Sequence, residues 1–392
     1  MALIIALVSY AVVLGVYISY VAFILRNKKT KEYLRLIDQL IAKPFVREDL
    51  PNVTAIIPVY NEEAVISQKL QNLAELDYPM EKIEVLLVDD SSTDNTSEFA
   101  ENMIRELRLN GKIVRNSRRM GANACYNIGA TNASSDLILR TDADVTIKPD
   151  TLRKAVQIIS NIENVGGVTA KMVPMIDTAA TTATTVEKTY RDLFDQMSIA
   201  ESALYATFPG GGGFTLMRKS VFSPISIDQG STDGNISLSM IRKGFRHIYV
   251  PQIFCQETIS HQLGEQMKQK ARRARRLIQS TVASSDFLFN KKYREFGLII
   301  YPLRFSMFVI CPFLIFGALL STFYLLFSYS LFLAVSMGLG AFLVLYAGIK
   351  TKVSILNSFT SVFAQQFYLL LGLFLLPKRN STWKSARTQR TK

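Results

Sequence analysis

Cysteine is scarce in this 392-residue chain: Cys125, Cys255 and Cys311 are widely spaced and odd in number. That excludes a disulfide framework, offers no zinc-ligand spacing, and agrees with a reducing compartment. Charge is absent from three long stretches, Ala2–Leu25, Phe305–Ile349 and Val353–Leu376. A membrane span takes roughly 20 apolar residues, so the second stretch is long enough for two, and four candidate segments flank a polar middle of roughly 270 residues. The protein is expected to be a multi-pass protein of the cell membrane. A recognisable nucleic-acid motif is also missing, although the formal net charge is +13. Basic residues beside a span meet anionic lipid head groups, so the expected partners are membrane lipids and an anionic substrate, with no nucleic acid.

The first apolar stretch reads as an anchor rather than a signal peptide. No Lys or Arg precedes it, it exceeds the roughly 7–15 residues of an h-region, and no small-x-small pattern follows. Arg26-Asn27-Lys28-Lys29-Thr30-Lys31 comes next, which places the amino terminus outside and the polar domain in the cytoplasm. Five parts are expected: an N-terminal transmembrane helix (1–25), a charged connector (26–51), an α/β domain (52–290), a C-terminal membrane region of two to three spans (298–376), and a basic tail (377–392). Asn357, Ser358, Gln365 and Gln366 make the first half of 353–376 polar, so that segment fits an interfacial or re-entrant placement. Three trailing spans would carry the basic tail outside, against the positive-inside rule; a cytoplasmic tail is expected.

Within the polar middle, strands alternate with helices. Val53–Val59 is an apolar strand, Asn61 is the expected N-cap of a helix running to about Leu76, and Ile83–Val88 is the next strand. A helix from about Asp94 to Leu109, a short strand near Ile113, a Gly/Ala-rich helix, the strand Leu137–Leu139 and a helix capped by Asp150 complete the pattern. It predicts right-handed βαβ crossovers and a mostly parallel sheet. A further helix is expected over Glu187–Tyr205. Four successive glycines, Gly210 to Gly213, precede an apolar strand at Phe214–Met217, and a run of this kind lets backbone approach a ligand closely.

Two carboxylate clusters carry the chemistry. Asp89-Asp90-Ser91-Ser92-Thr93-Asp94 follows one strand and Asp142-Ala143-Asp144 another. In an open α/β sheet the ligand crevice lies just outside such strand ends. An Asp-x-Asp there suits Mg²⁺ or Mn²⁺ shared with a substrate phosphate, which points to a metal–diphosphate site.

Ile57-Pro58-Val59-Tyr60-Asn61-Glu62-Glu63, Asp89-Asp90-Ser91-Ser92-Thr93-Asp94, Asn127-Ile128-Gly129 and Asp142-Ala143-Asp144 occur in this order. The ordered set resembles the membrane-integrated family 2 glycosyltransferases, a group that includes cellulose and hyaluronan synthases and dolichyl-phosphate sugar synthases. The resemblance covers about residues 52 to 280 and implies a GT-A fold, a Rossmann-like α/β domain flanked by transmembrane helices. It also implies an inverting hexosyltransferase using a nucleotide-sugar donor. By the same resemblance Pro58, Tyr60, Glu62, Asp89 and Asp90 hold the donor, Asp144 binds the metal, and Asp142 binds the metal or the donor sugar. Asp94 and Thr96 read rather as a helix start.

Inversion needs a base opposite the departing diphosphate. The family places it at Glu-Asp before a helix; here Thr232-Asp233 stands there, so Asp233 is the implied base despite the missing Glu, with an N-cap as its other reading and Asp228 as a competitor. Processive synthases carry Gln-x-x-Arg-Trp where this chain has Gln269-Lys270-Ala271-Arg272-Arg273. Gln269, Arg272 and Arg273 are thus implied for the donor diphosphate, since guanidinium forks suit phosphate oxygens, whereas the aromatic platform is absent. The same basic helix also suits a lipid surface. Gly211, Gly212 and Gly213 form the expected acceptor loop. Two acceptors fit: a lipid-linked one, favoured by the lost Trp, or a growing polysaccharide secreted through the spans. A catalytically inactive sugar-nucleotide-binding subunit is the reading from another class.

Overall fold

The computed structural model describes residues 1–175, 182–209, 212–258, 263–350 and 354–376. Gly211 and the tail with Trp383 and Arg387 lie outside the described residues. Helix α1 (Ala2–Arg26) and the connector helix α2 (Lys29–Ala42) lead into β1 (Val53–Val59), α3 (Glu63–Ala74), β2 (Ile83–Asp89), α4 (Thr96–Glu106) and β3 (Asn110–Arg115). After α5 (Ala122–Asn132) come β4 (Leu137–Thr141), β5 (Val145–Ile147), α6 (Thr151–Asn161), β6 (Val165–Met175) and α7 (Thr182–Leu204). The domain closes with β7 (Phe214–Arg218), α8 (Thr232–Arg242), β8 (Arg246–Thr258) and α9 (Leu263–Ala283).

The eight strands form one sheet in the order β3-β2-β1-β4-β7-β6-β8-β5. From β3 to β4 every neighbour is parallel, as the βαβ alternation demands. Beyond β4, antiparallel β7 and β5 enter and only β6 and β8 run parallel. β2 lies to one side of β1 and β4 to the other, so chain order reverses at β1, and a crevice opens outside the carboxyl ends there.

Strand β1 is buried along its whole length because both faces of the sheet are covered. Val53, Ala55, Ile57 and Val59 pack on the side of α3 and α6; Ile56 packs on the other, with Tyr126 of α5 and Met240 of α8. Alternation with period two sorts them. Gly129 is the closest approach of α5 to the sheet: a Cβ there would stand 2.4 Å from Ile56 Cγ2.

Helix starts differ from expectation in detail. Glu62, not Asn61, occupies the cap position of α3, because Asn61 takes a φ of 53° and spends its side chain across the crevice on Thr93. Asp150 stands at the cap of α6 without a side-chain cap bond; its carboxylate pairs with Lys154 instead. Asn95 precedes α4, while Asp94 accepts from the backbone N–H of Thr96 at 3.1 Å and of Glu63 at 3.3 Å. Asp94 is therefore a strut between two helix starts.

Among the described residues three helices are long and apolar enough to cross a membrane: Ala2–Arg26, Phe296–Tyr329 and Leu331–Gly348. The helix Ser354–Phe374 packs instead against α9, α7 and its neighbour helix. Its polar residues turn inward, with Gln366 donating to the Tyr17 hydroxyl at 2.7 Å and the Met307 carbonyl at 3.2 Å. One buried ion pair ties this helical layer to the α/β domain. Arg304 Nε and Nη2 donate to the Glu201 carboxylate at 2.7 and 3.1 Å, both side chains being essentially inaccessible. Tyr20 of α1 and Thr207 donate to the same carboxylate, and the guanidinium lies against Phe194 and Phe308.

Removing one partner of such a buried pair leaves an uncompensated charge, at a cost of about 3–5 kcal/mol. Arg304→Met is accordingly expected to lower stability by that order. Thermal unfolding in detergent checks it, and an unchanged midpoint would show that the pair does not hold the two layers together.

Candidate active site

The crevice is built at the ends of β1, β2 and β4. β4 ends at Thr141, and the chain turns through Asp142-Ala143-Asp144 into β5, with the Val145 N–H donating to the Asp142 carbonyl at 3.3 Å. Ala143 is buried under the turn, while Asp142 and Asp144 are partly exposed. Tyr126 from α5 donates to Asp142 Oδ1 at 2.8 Å, and Arg140 Nη2 stands 3.4 Å from Oδ2. Asp142 is thus oriented from both sides.

Arg140 is the residue that sequence reasoning passed over. Its side chain is 5% exposed, and its other terminal nitrogen forms an ion pair with Asp233 Oδ1. One guanidinium therefore joins the acidic turn to the expected base. Asp233 sits in the first turn of α8, but the cap is Ser231, whose side chain accepts from the Gly234 N–H at 3.1 Å. With the cap supplied elsewhere, the Asp233 carboxylate is not used for helix initiation. Burial pushes its pKa up, Arg140 pulls it down, Asp142 pushes it up again, and Arg273 and Arg276 pull it down; the net direction is upward. Asp228 lies exposed on the connection before α8.

Gly212 and Gly213 lie beside this pair. Gly213 has a φ of 89°, and a Cβ on it would stand 2.7 Å from Val145 Cγ2, so no larger residue passes beside the acidic turn there. A Cβ on Gly212 would lie 3.4 Å from Asp233 Oδ2. Asp233 therefore has one oxygen against Arg140 and the other toward the loop.

The α8 start is held by α5 and α9. Asn123 Oδ1 accepts from Thr232 Oγ1 at 2.6 Å and from Arg276 Nη2 at 2.9 Å, and Arg276 Nε donates to the Gly230 carbonyl at 2.9 Å. Helix α9 sets Gln269, Arg272, Arg273 and Arg276 at i, i+3, i+4 and i+7, one face of a helix. Burial and the neighbouring guanidinium groups of Arg273, Arg276 and Arg275 pull Arg272 down to about 10. Such crowding of like charge favours an anionic ligand. Arg273 meets Glu257 Oε1 at 2.9 Å, and Arg191 meets its Oε2 at 3.2 Å. Glu257 pairs with Val145 across β8 and β5, one residue from Asp144.

At the opposite end, Pro58 is buried within β1, beyond the last rung with β4 at Ile56↔Arg140, so its missing N–H costs no ladder bond on that side. Tyr60 carries the Arg119 guanidinium over its ring at 3.4 Å. The Glu62 N–H donates to Thr96 Oγ1 at 2.8 Å. Asp89 is buried and accepts from Ser92 N–H at 2.8 Å and Ser97 Oγ at 2.6 Å. Asp90 is fully buried and accepts from the N–H groups of Met120 and Gly121 at 2.7 and 2.8 Å and from Asn116 Nδ2 at 3.0 Å. Both carboxylates are thus engaged by groups of the chain itself, and Asp90 fixes the loop that carries Arg119.

Among the described residues no three His, Cys, Asp or Glu side chains converge as a metal cage. Two carboxylates on one turn, with a basic helix facing them, fit instead a hard cation that completes its shell on substrate phosphate, the usual arrangement for Mg²⁺.

Glu257 provides a pH test of this network. Burial alone would raise its pKa, but Arg273 and Arg191 bring it from 4.5 down to about 2. The stability it contributes is present above pH 4.5 and is lost as pH falls toward 2. Glu257→Gln should therefore be less stable than the parent at neutral pH and lose less on acidification through that window, as measured by unfolding midpoints. Parallel curves for both proteins would contradict the ion-pair reading.

The profile of the family described as Glycosyl transferase family 2 matches residues 54–226. The chain is 27% identical over 266 residues to the poly-beta-1,6-N-acetyl-D-glucosamine synthase of Staphylococcus aureus, covering 66% of this chain and 62% of that protein's length. It is 29% identical over 126 residues to the probable glycosyltransferase YdaM of Bacillus subtilis, 32% of this chain and 30% of that one. Among solved structures, the mannosyltransferase PcManGT from Pyrobaculum calidifontis, in complex with GDP-Man and Mn²⁺, superposes with a TM-score of 0.74 at 23% identity over 96% of this chain and 99% of the other. That likeness shows the fold, including its helical flanks. From the matched profile and the ordered motifs at the ends of β1, β2 and β4, the chain carries a glycosyl transferase family 2 domain.

Proposed function

We propose that this chain is an inverting glycosyltransferase that moves a sugar from a nucleotide-sugar donor to a lipid-linked acceptor at the cytoplasmic face of the membrane. The observation that carries the reading is the arrangement around Arg140: the acidic turn on one side, Asp233 on the other, and Gly212 beside the second carboxylate oxygen of Asp233. It is also supported by PcManGT, which binds GDP-Man and Mn²⁺ on the same fold.

Tyr60, Glu62 and the pocket wall shaped by Asp89 and Asp90 receive the nucleoside. Asp142 and Asp144 would hold Mg²⁺ or Mn²⁺ against the diphosphate, and the ion when bound supplies positive charge to the leaving group. Arg272 and Arg273, with Gln269, would meet the same diphosphate from one face of α9. Asp233 accepts the acceptor hydroxyl proton while the new C–O bond forms at the anomeric carbon and the bond to the diphosphate breaks on the opposite face. Its raised pKa makes it a stronger base than an ordinary aspartate. Because only the ionised form accepts the proton, kcat/KM falls on acidification, with a midpoint shifted upward from that of an ordinary aspartate.

The three apolar helices and the basic residues following α1 favour a cytoplasmic domain docked on the bilayer. Arg273 stands where processive members carry Trp, so a single transfer is the first reading. Polymerisation is the second, favoured by the polysaccharide-synthase relative.

Asp233→Asn should reduce transfer by about 10²–10⁴-fold, the range for loss of a general base, while donor affinity stays within a few-fold. Near-normal turnover would remove Asp233 from the role. For the acceptor, purified protein in lipid with Mn²⁺, radiolabelled nucleotide sugars and polyprenyl phosphate should yield a solvent-extractable single-sugar lipid and stop under excess EDTA. High-mass glycan would establish the polymerase, and turnover surviving EDTA would exclude the metal.

A further inference from the structure

Helix α3 presents Val65, Ile66, Leu70 and Leu73 to the core, and Lys69 lies in the same stripe, 2% exposed. Its ammonium donates to Thr141 Oγ1 at 2.8 Å and to the Val145 carbonyl at 2.7 Å. Thr141 is the residue before Asp142, and Val145 is the residue after Asp144. The two bonds thus fasten both ends of the acidic turn to one rigid point on α3. A buried ammonium carries a desolvation cost of several kcal/mol, and a methionine would fill the same space with no such cost. The charge is retained in a place where its hydrogen bonds among the described residues go to the two flanks of the turn.

We propose that Lys69 is a positioning residue for the divalent cation: by clamping Thr141 and Val145 it holds Asp142 and Asp144 at the separation the ion requires. The inference rests on the metal reading given above. It makes a distinctive demand, because two effects of removing Lys69 oppose each other. By Coulomb's law alone, deleting a cation near the two carboxylates tightens binding of a second cation. Loss of the clamp loosens it, since groups that orient metal ligands typically contribute about 10–100-fold to affinity. A lysine that serves only the fold would lower stability and leave the affinity of the folded protein where it was.

The test is Mn²⁺ binding followed by electron paramagnetic resonance on the purified full-length protein in detergent with a saturating nucleoside diphosphate, which completes the ion's shell, and with Asp144→Asn as the control for the site. In Lys69→Met, Mn²⁺ affinity should fall about tenfold or more, and the Mn²⁺ concentration for half-maximal transfer should rise with it. Affinity that is unchanged or higher in the folded variant overturns the proposal. Should Lys69→Met fail to fold, Thr141→Val removes one of the two clamp bonds and should weaken Mn²⁺ binding several-fold; an undiminished affinity there overturns it equally. If wild type binds no more Mn²⁺ than Asp144→Asn, the metal reading falls first and this inference with it.

Discussion

The guanidinium of Arg140 is the charge on which the site depends. It projects from a central strand, is shielded from water, and touches Asp142 at one terminal nitrogen and Asp233 at the other. A cation in that position would be costly by itself, and the largely buried Asp233 carboxylate would be costly without it. Together they fix the distance between the two halves of the chemistry, one contributed by the β4–β5 turn and the other by the first turn of α8. The cap at Ser231 and the clamp of Asn123 and Arg276 then hold α8 so that Asp233 cannot drift from Arg140.

A second buried charge pair does for the membrane layer what Arg140 does for the site. Glu201 and Arg304 join α7 to the long helix Phe296–Tyr329, and Tyr20 brings α1 to the same point. Glu201 also accepts from Thr207, a few residues before Gly212, which lies beside Asp233. The chain a few residues before Gly212 is therefore linked, through hydrogen-bonded neighbours, to the helices that would sit in lipid. Helix α9 packs on Ser354–Phe374 and on α8, so its arginines beside Asp233 are carried from the same layer.

Much of this was legible in the sequence because it is local. Alternating runs marked β1, β2 and β4, and the carboxylates after them necessarily stood at strand ends. What local pattern could not show were partnerships between distant segments. Asn61 satisfies every expectation for an N-cap, yet its side chain crosses to Thr93 because the β1 and β2 ends lie side by side. Arg140 had a signal of its own, a charged residue inside an apolar strand directly before the acidic turn. Lys69 had one too, a lysine on the apolar stripe of α3. Glu257 had none, since its meaning comes from pairing with Val145 across the sheet. The second half of the sheet was obscure for a related reason: antiparallel β7 and β5 are inserted by long-range pairing rather than by βαβ units.

The account turns on the acidic turn and Asp233 forming one site for a donor diphosphate and its sugar. The most direct test is a cryo-EM structure of the protein in lipid nanodiscs with Mn²⁺ and a non-transferable nucleotide-sugar analogue. The account predicts the diphosphate bridged by Mn²⁺ to Asp142 and Asp144, faced by Arg272 and Arg273, with the anomeric carbon on the side of Asp233 that looks toward Gly212. A donor bound with its diphosphate away from that turn, or with its sugar on the far side from Asp233, would contradict it.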